Sequence, residues 1–288
     1  MIDAIFSLAF FTQIIRIAVP YVLAALGGTI TERSGVIDLA LEAKLLFGAF
    51  AAAAVGHATD SAVAGIAAGI VAGMAVSALQ ILLALGLRAN QVIIGIGLNL
   101  IALGGTRFLL QLIFNEGANS PPAPSYGDAV IGNPLVWGAV IAAIAIPLAV
   151  DRTRWGLRLR AAGDRPASLE AVGVDPARPR LYAALVGGAL SGAGGAQLSL
   201  VVGGFSADMS SGRGYIALAM VILSGWRPAF AALACVGVAL AEAINIALQV
   251  TGSSVPPELA PLLPYVLTFL MPLAYAARSR QPASLGKL

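Results

Sequence analysis

The stretch DRTRWGLRLRAAGDRPASLEAVGVDPARPR, residues 151–180, decides the fold of this chain because it is the one long charged interruption between apolar segments. It carries seven arginines against four acidic residues. Loops rich in arginine and lysine remain on the cytoplasmic side of a membrane. We therefore expect this arginine-rich loop to be cytoplasmic, which fixes the direction of every apolar segment on either side of it.

The arginine-rich loop also carries the signals of a short helix. Asp164 is expected to cap this helix, Pro166 to lie in its first turn, residues 167–172 to form its body and Gly173 to end it. A capped helix on a cytoplasmic loop presents a defined surface to a soluble partner.

The composition indicates a polytopic membrane protein. Hydrophobic residues make up 59% of the chain and charged residues 11%, and the mean hydropathy is +0.89. The net charge of +3 is concentrated in the loop and in the tail, where topology explains it, so we expect no nucleic-acid binding. One cysteine and one histidine give little material for a catalytic, cofactor or metal site.

The hydropathy pattern predicts an all-α transmembrane bundle embedded in the lipid bilayer. A crossing needs about 20 residues. About nine apolar segments occur, with eight to ten as the range, at residues 4–26, 36–56, 61–87, 91–114, 134–150, 181–203, 215–225, 229–250 and 261–277. The first carries Arg16, so it either spans the membrane or lies in the interface, and the seventh is short enough to be a half-helix.

The connections follow the charge pattern. Residues 27–35 are expected to form a cytoplasmic turn. Residues 115–133 contain no lysine or arginine and three prolines, so we expect an extended external loop. Residues 251–260 are also expected outside, and the C-terminus inside.

Glycines predict how the helices pack. Gly65, Gly69 and Gly73 recur on one helix face, and residues 187–196 are almost free of side chains. In lipid, helices associate through close backbone approach at such faces. No phosphate-binding loop with its lysine occurs in the sequence, so any ATP must be hydrolysed by another chain.

Polar residues within the apolar segments are candidates for a translocation path. Asp38 and Glu42 are four residues apart and are expected to share a helix face, with Lys44 turned to a different side. An intramembrane carboxylate costs about 2.5–3.5 kcal/mol, so Glu42 and Glu242 favour function or essential structure. Amides more often join helices by hydrogen bonds. The candidate path residues are Asp38, Glu42, Asn99, Glu242 and Asn245.

Four motifs together resemble the permease family of ATP-binding-cassette (ABC) importers for simple sugars, nucleosides and branched-chain amino acids. They are GGTITERSGVIDLALE at 27–42, NQVIIGIGLNLIALG at 90–104, GLRLRAAGDRPASLEAVGVD at 156–175 and GRGYIALAMVILSGWRP at 212–228. The nucleoside-type branch is the most similar. Three positions depart from the residue types usual in that branch. Asp38 stands where asparagine is usual, Ala43 where glycine is usual, and Lys44 where an apolar residue is usual.

The resemblance implies a single transmembrane permease domain, residues 1–288, in the bacterial inner membrane. It implies three protein partners: a cytoplasmic ATPase, a second permease in a heterodimer and an external substrate-binding protein. The expected solute is a nucleoside or a related small polar molecule, moved by alternating access, with a simple sugar or branched-chain amino acid as the alternative. The coupling helix that contacts the ATPase would use Arg158, Arg160, Asp164, Arg165, Glu170 and Gly173.

Two other functional classes remain open from the residues alone. An ion-coupled secondary carrier would use Asp38, Glu42 and Glu242 as titrating sites and would need no ATPase. A membrane-embedded enzyme would need a cluster of nucleophile, base or metal ligands.

Overall fold

The structure, a computed structural model, describes residues 8–127, 129–250 and 281–287. The predicted external turn 251–260 and last segment 261–277 lie outside the described residues. Within these limits the regular structure is helical, and the one extended pairing is an isolated bridge between Asn119 and Ser206. The predicted all-α class is therefore confirmed.

Ten α-helices occur in the described part of the chain. They are α1 (Leu8–Arg33), α2 (Leu41–Thr59), α3 (Ala62–Ile81), α4 (Gln91–Phe114), α5 (Pro134–Arg152), α6 (Arg154–Asp164), α7 (Pro166–Glu170), α8 (Ala177–Val202), α9 (Arg213–Leu223) and α10 (Pro228–Val250). A π-helical turn, Leu82–Gly86, continues α3. Within the described residues, seven helical segments are long and apolar enough to cross a membrane, and α9 is the predicted half-helix.

The predicted turn at residues 27–35 is wrong. Helix α1 continues through this segment to Arg33. The glycines that suggested a turn serve helix packing instead, because a Cβ on Gly27 would lie 2.8 Å from Ser191 Oγ of α8. The chain leaves the helical conformation over residues 34–40, and α2 begins at Leu41.

The late start of α2 corrects a second prediction. Asp38 lies in the connection between α1 and α2, whereas Glu42 lies in the first turn of α2. The two carboxylates therefore do not share a helix face. Lys44 is not turned away from Asp38 either, because its ammonium contacts the Asp38 carboxylate.

The predicted glycine face forms the centre of the bundle. Helix α3 packs closely against both α2 and α8. A Cβ on Gly65 would lie 2.7 Å from Ala52 O of α2, and a Cβ on Gly73 would lie 2.7 Å from Gly192 Cα of α8. Backbone therefore contacts backbone along this face, as expected for helices that associate in lipid.

The bundle has two ends. Arg33 at the end of α1 lies against Gly163 of the arginine-rich loop, so we call this end the loop side. At the other end, the far side, residues 115–127 run along the segment after α8. Backbone N–H groups of Ser120 and Ala123 donate to Phe205 O and Gly203 O, at 2.8 and 2.9 Å.

Candidate functional site

The half-helix α9 begins at a carboxylate from another helix. Glu42 Oε1 accepts hydrogen bonds from Ser210 Oγ at 2.6 Å and from the Gly212 N–H at 2.8 Å. Glu42 Oε2 accepts from the Gly214 N–H at 2.6 Å. Gly212 is the N-cap residue of α9, and a helix N-terminus stabilises negative charge. Glu42 therefore joins α2 to the start of α9.

Replacing Glu42 with glutamine tests this capping role. The amide keeps one acceptor oxygen but loses the charge and the second acceptor, so we expect the free energy of unfolding to fall by about 1–2 kcal/mol. Thermal unfolding of the purified chain in detergent would measure the change. Glu116→Gln, at an exposed far-side position, is the matched control. Equal unfolding temperatures for the two variants would contradict the role.

An ion pair inside the bundle is formed by Arg213, the residue that follows the N-cap Gly212. Arg213 Nη2 donates to Glu242 Oε1 of α10 at 2.7 Å, and Tyr21 Oη of α1 donates to Glu242 Oε2 at 2.9 Å. The Arg213 guanidinium carbon lies 5.9 Å from the centre of the Tyr21 ring. Three helices thus meet at one charge-neutral pair, which lowers the cost of burying either charge.

A cavity of about 760 Å³ opens beside this pair. Its walls come from α1, the last turns of α8, the segment before α9, and α10. Its polar wall residues include Gln13, Arg16, Gln197, Ser206, Arg213 and Glu242. The lining from Val201 to Ser211 places it in the far-side half of the bundle.

A buried ion pair supports the connection between α1 and α2. Lys44 and Asp38 are both 0% exposed, and Lys44 Nζ lies 2.5 Å from Asp38 Oδ1. The Asp38 N–H donates to Glu32 Oε1 at 3.2 Å. Trp226, just after α9, donates through Nε1 to Glu32 Oε2. The polar residues at this position therefore contact one another and link α1, α2 and the end of α9.

The side chain of Asn99 has a clear structural role. Its Oδ1 accepts from the Ala43 N–H at 2.9 Å, and its Nδ2 donates to Leu39 O at 2.8 Å and to Tyr215 Oη at 3.1 Å. Non-helical backbone inside a membrane protein needs such partners. The Asn99 amide supplies them for the start of α2.

The arginine-rich loop contains two helices rather than one. The missed helix is α6, and Asp164 is its last residue. The prediction that Asp164 caps the next helix is therefore wrong, because Arg165 occupies the N-cap position of α7. Pro166 lies in the first turn of α7 as predicted, and Gly173 follows with φ of +74°.

Of the six predicted coupling residues, five are exposed. Arg160 is half-buried, and the exposed residues are Arg158, Asp164, Arg165, Glu170 and Gly173. Val172, between Glu170 and Gly173, is 72% exposed, whereas Leu169 is buried and anchors α7. The loop therefore presents charged and apolar groups together on its outer surface.

Close contacts join the arginine-rich loop to the half-helix. The Gly163 Cα packs so closely on Arg33 O that no side chain would fit between them. Arg33 Nε donates to Trp226 O at 2.7 Å. Arg180, which is buried, donates to Ala162 O at 3.2 Å and to Ser34 O at 3.3 Å. Movement of α6 would thus press directly on the end of α1 and, through Arg33, on the segment that follows α9.

Comparison with known proteins identifies the kind of chain to which these features belong. Residues 10–272 match the family model described as the permease component of the branched-chain amino acid transport system. The chain belongs to this family. No solved structure matches it.

Similar permeases cover almost the whole chain. The guanosine ABC transporter permease NupQ of Bacillus subtilis is 29% identical, over 93% of this chain and 92% of its own. The putative glucose ABC transporter permease TsgC13 of Haloferax volcanii is 31% identical, over 93% and 87%. The nucleoside ABC transporter permease NupC of Lactococcus lactis is 28% identical, over 93% and 92%.

Membership of the ABC permease family confirms the resemblance drawn from the motifs. The chain is a multi-pass transport component of the inner membrane, and its relatives are transport subunits rather than enzymes.

The structure separates the five candidate path residues by position. Glu242 lines the cavity. Asp38, Glu42 and Asn99 bind backbone or ionic partners near the start of α2. Asn245 accepts from Gln249 Nε2 of the same helix at 2.7 Å. Whether any of them borders the solute path stays a prediction.

Sequence reasoning missed Arg213 and Gln197 as members of the cavity wall. Arg213 could have been found because it is a lone cation beside an apolar stretch, and an intramembrane carboxylate such as Glu242 needs a partner. Gln197 gave no comparable signal, because it lies in a segment dominated by small residues.

Proposed function

We propose that the chain is the permease subunit of an ATP-driven importer that moves a nucleoside or related neutral polar solute into the cell. The observation that carries this proposal is the continuous contact from the exposed arginine-rich loop, through Arg33 and Trp226, along α9 to the cavity at Arg213. Two of the named relatives are permeases for guanosine and for nucleosides, which favours this solute class over the sugar named for the third.

The mechanism follows from the position of α9. At its loop-side end, Trp226 contacts Glu32 and Arg33 of α1. At its far-side end, Gly212 and Gly214 contact Glu42, and Arg213 contacts Glu242. A short helix held at both ends transmits a displacement as a unit, and ATP-driven closure at the loop would alter the cavity.

The arginine-rich loop is the proposed contact with a cytoplasmic ATPase. This assignment places the loop side and the C-terminus in the cytoplasm, in line with the excess of arginine. The far side, including residues 115–127, then faces the external substrate-binding protein. A second permease subunit completes the pathway as a heterodimer, with all crossings of this chain in one transmembrane domain.

The bonding of the acidic residues favours ATP-driven transport over ion coupling. Glu42 accepts three hydrogen bonds, Asp38 pairs with Lys44 and Glu242 pairs with Arg213. Carboxylates whose oxygens are already held by hydrogen-bond donors or by a cation are poorly suited to bind a coupling ion during each cycle, because binding would break these contacts.

Uptake into proteoliposomes tests the proposed function. The chain would be reconstituted with its ATPase, second permease and binding protein, and radiolabelled guanosine, uridine, ribose, glucose and leucine would be compared. We expect nucleoside uptake that requires ATP on the loop side and stops with a hydrolysis-deficient ATPase. Uptake driven by a sodium or proton gradient without ATP would overturn the proposal.

Charge reversal at Glu170 tests the docking surface. Glu170 is exposed in the last turn of α7, so Glu170→Lys should leave the fold intact while removing a contact charge. We expect at least a fivefold loss of ATPase recovered with the purified chain, and an unchanged amount of the second permease. Glu116→Lys makes the same change on the far side and should retain both partners. Equal ATPase recovery in the two variants would exclude this surface.

A further inference from the structure

We infer that the far-side cavity is a binding site for an uncharged nucleoside, and that the Gln197 side chain is the hydrogen-bond donor that recognises an acceptor group on it. The inference rests on the proposed function, since it assigns a place and a recognition residue to the solute of that importer.

The orientation of the Gln197 amide follows from its neighbours. The Leu135 N–H donates to Asn133 Oδ1 at 2.9 Å, so Asn133 must present its Nδ2 group elsewhere. That Nδ2 donates to Gln197 Oε1 at 2.9 Å. Because a backbone N–H can only donate, this sequence of bonds assigns both amides without ambiguity. The Gln197 NH₂ group is therefore the end of the amide left for a ligand.

The Gln197 NH₂ group has no protein partner among the described residues. The residue is 1% exposed and lines the cavity. Buried donors in folded proteins are almost always satisfied, and an unsatisfied one is costly. A buried donor that is held in one orientation by its neighbours and left without a protein partner, on a residue of the cavity wall, is suited to a ligand oxygen or ring nitrogen.

The remaining cavity wall favours a solute without positive charge and with a flat apolar face, because it adds one cation, Arg16, to an ion pair that is already neutral. Arg213 and Glu242 neutralise each other at 2.7 Å, and Arg213 Nη1 also donates to Met209 O. The wall adds neutral hydrogen-bonding groups at Thr12 and Gln13 beside apolar groups at Ile17 and Leu198. Such a mixture of apolar surface with a few fixed polar groups is typical of small-molecule sites.

The volume of the cavity agrees with this class of solute. About 760 Å³ lies within the usual range of roughly 300–1,000 Å³ for ligand sites. A nucleoside supplies carbonyl and hydroxyl acceptors for Gln197 and an aromatic face for the apolar wall. A zwitterionic amino acid would bring an ammonium to a wall whose one carboxylate among the described residues, Glu242, already pairs with Arg213.

Saturation-transfer NMR on the chain in nanodiscs, at millimolar guanosine, tests the site in the absence of the binding protein. We expect guanosine to bind, uridine to displace it and leucine to leave it bound. Gln197→Leu, which keeps the approximate size but removes the donor together with the oxygen that accepts from Asn133, should weaken guanosine binding at least tenfold. The control Gln111→Leu, at an exposed position on α4, should change it less than twofold.

A second variant tests the site independently, in case Gln197→Leu misfolds. Val201→Trp fills the cavity from a half-buried position on α8 and should abolish binding, whereas Val63→Trp, at a position 67% exposed, should not. Gln197→Leu and Val201→Trp must both unfold at the temperature of the unmodified chain. Unchanged guanosine binding in Gln197→Leu and Val201→Trp, or displacement of guanosine by leucine, would overturn the inference.

The two proposals can fail separately. ATP-driven nucleoside uptake by the assembled importer, combined with no effect of Gln197→Leu or Val201→Trp, would reject the site and retain the function. Absence of nucleoside uptake by an assembly whose ATPase is active would reject the function, and with it the assigned solute.

Discussion

Replacing Lys44 with leucine is expected to destabilise the chain by about 3–5 kcal/mol. Both members of the Lys44–Asp38 pair are 0% exposed. Removing the ammonium leaves the Asp38 carboxylate buried without its counter-ion, so the protein must either keep an unpaired charge or protonate it. Thermal unfolding in detergent and the yield of monodisperse protein would measure the loss.

The double variant Asp38→Asn with Lys44→Leu is the matched control. It removes both charges together. We expect it to recover most of the stability lost in Lys44→Leu, because replacing a whole buried pair is far less costly than breaking it. If the double variant lost as much stability as the single one, the pair would not be the cause.

Replacing Gly73 with valine is expected to prevent α3 from packing on α8. The new side chain would meet the backbone of Gly188 and Gly192, and backbone atoms cannot move aside as a flexible side chain can. Overpacking typically costs about 1–3 kcal/mol, and contact with backbone puts this site at the upper end. The expected result is loss of monodisperse protein after detergent extraction, measured by size-exclusion chromatography.

Gly97 provides the comparison for Gly73. No heavy atom of the described chain lies within 4 Å of a Cβ built on Gly97, although both glycines lie within long apolar helices. We expect Gly97→Val to change the unfolding free energy by less than about 1 kcal/mol. Equal losses in the two variants would mean that the cost arises from helix propensity rather than from packing.

Much of the fold could be predicted because membrane crossings follow one strong signal. Helix α4, for example, begins and ends at the residues that the hydropathy pattern gave. The half-helix was predicted from length alone. The predicted end of α1 was wrong because glycines indicate turns in soluble proteins, whereas in lipid the same residues allow close helix contact.

The site was less predictable because its contacts join residues that are distant along the chain. Glu42 and Glu242 could be selected from the cost of an intramembrane charge, but not their partners Gly212 and Arg213. The contact between Lys44 and Asp38 depends on where α2 begins. That residue was hard to predict because three charged residues lie near the start of the helix. Gln197 becomes significant only through its bond to Asn133, 64 residues away.

The measurement that tests the central claim most directly is whether nucleotide binding to the ATPase on the arginine-rich loop changes access to the far-side cavity. Cys235 is the only cysteine in the sequence and is buried, so Cys235→Ala with Ser206→Cys gives a single thiol in the cavity wall. A membrane-impermeant maleimide added from the far side would report access in the assembled importer.

The account predicts that trapping the ATPase in its ATP-bound state changes the labelling rate of this thiol at least tenfold. Adding Gly163→Val, which disturbs the contact between α6 and Arg33 O, should remove the change while the ATPase remains bound. Equal labelling rates with and without nucleotide, in an assembly that hydrolyses ATP and takes up solute, would contradict the account.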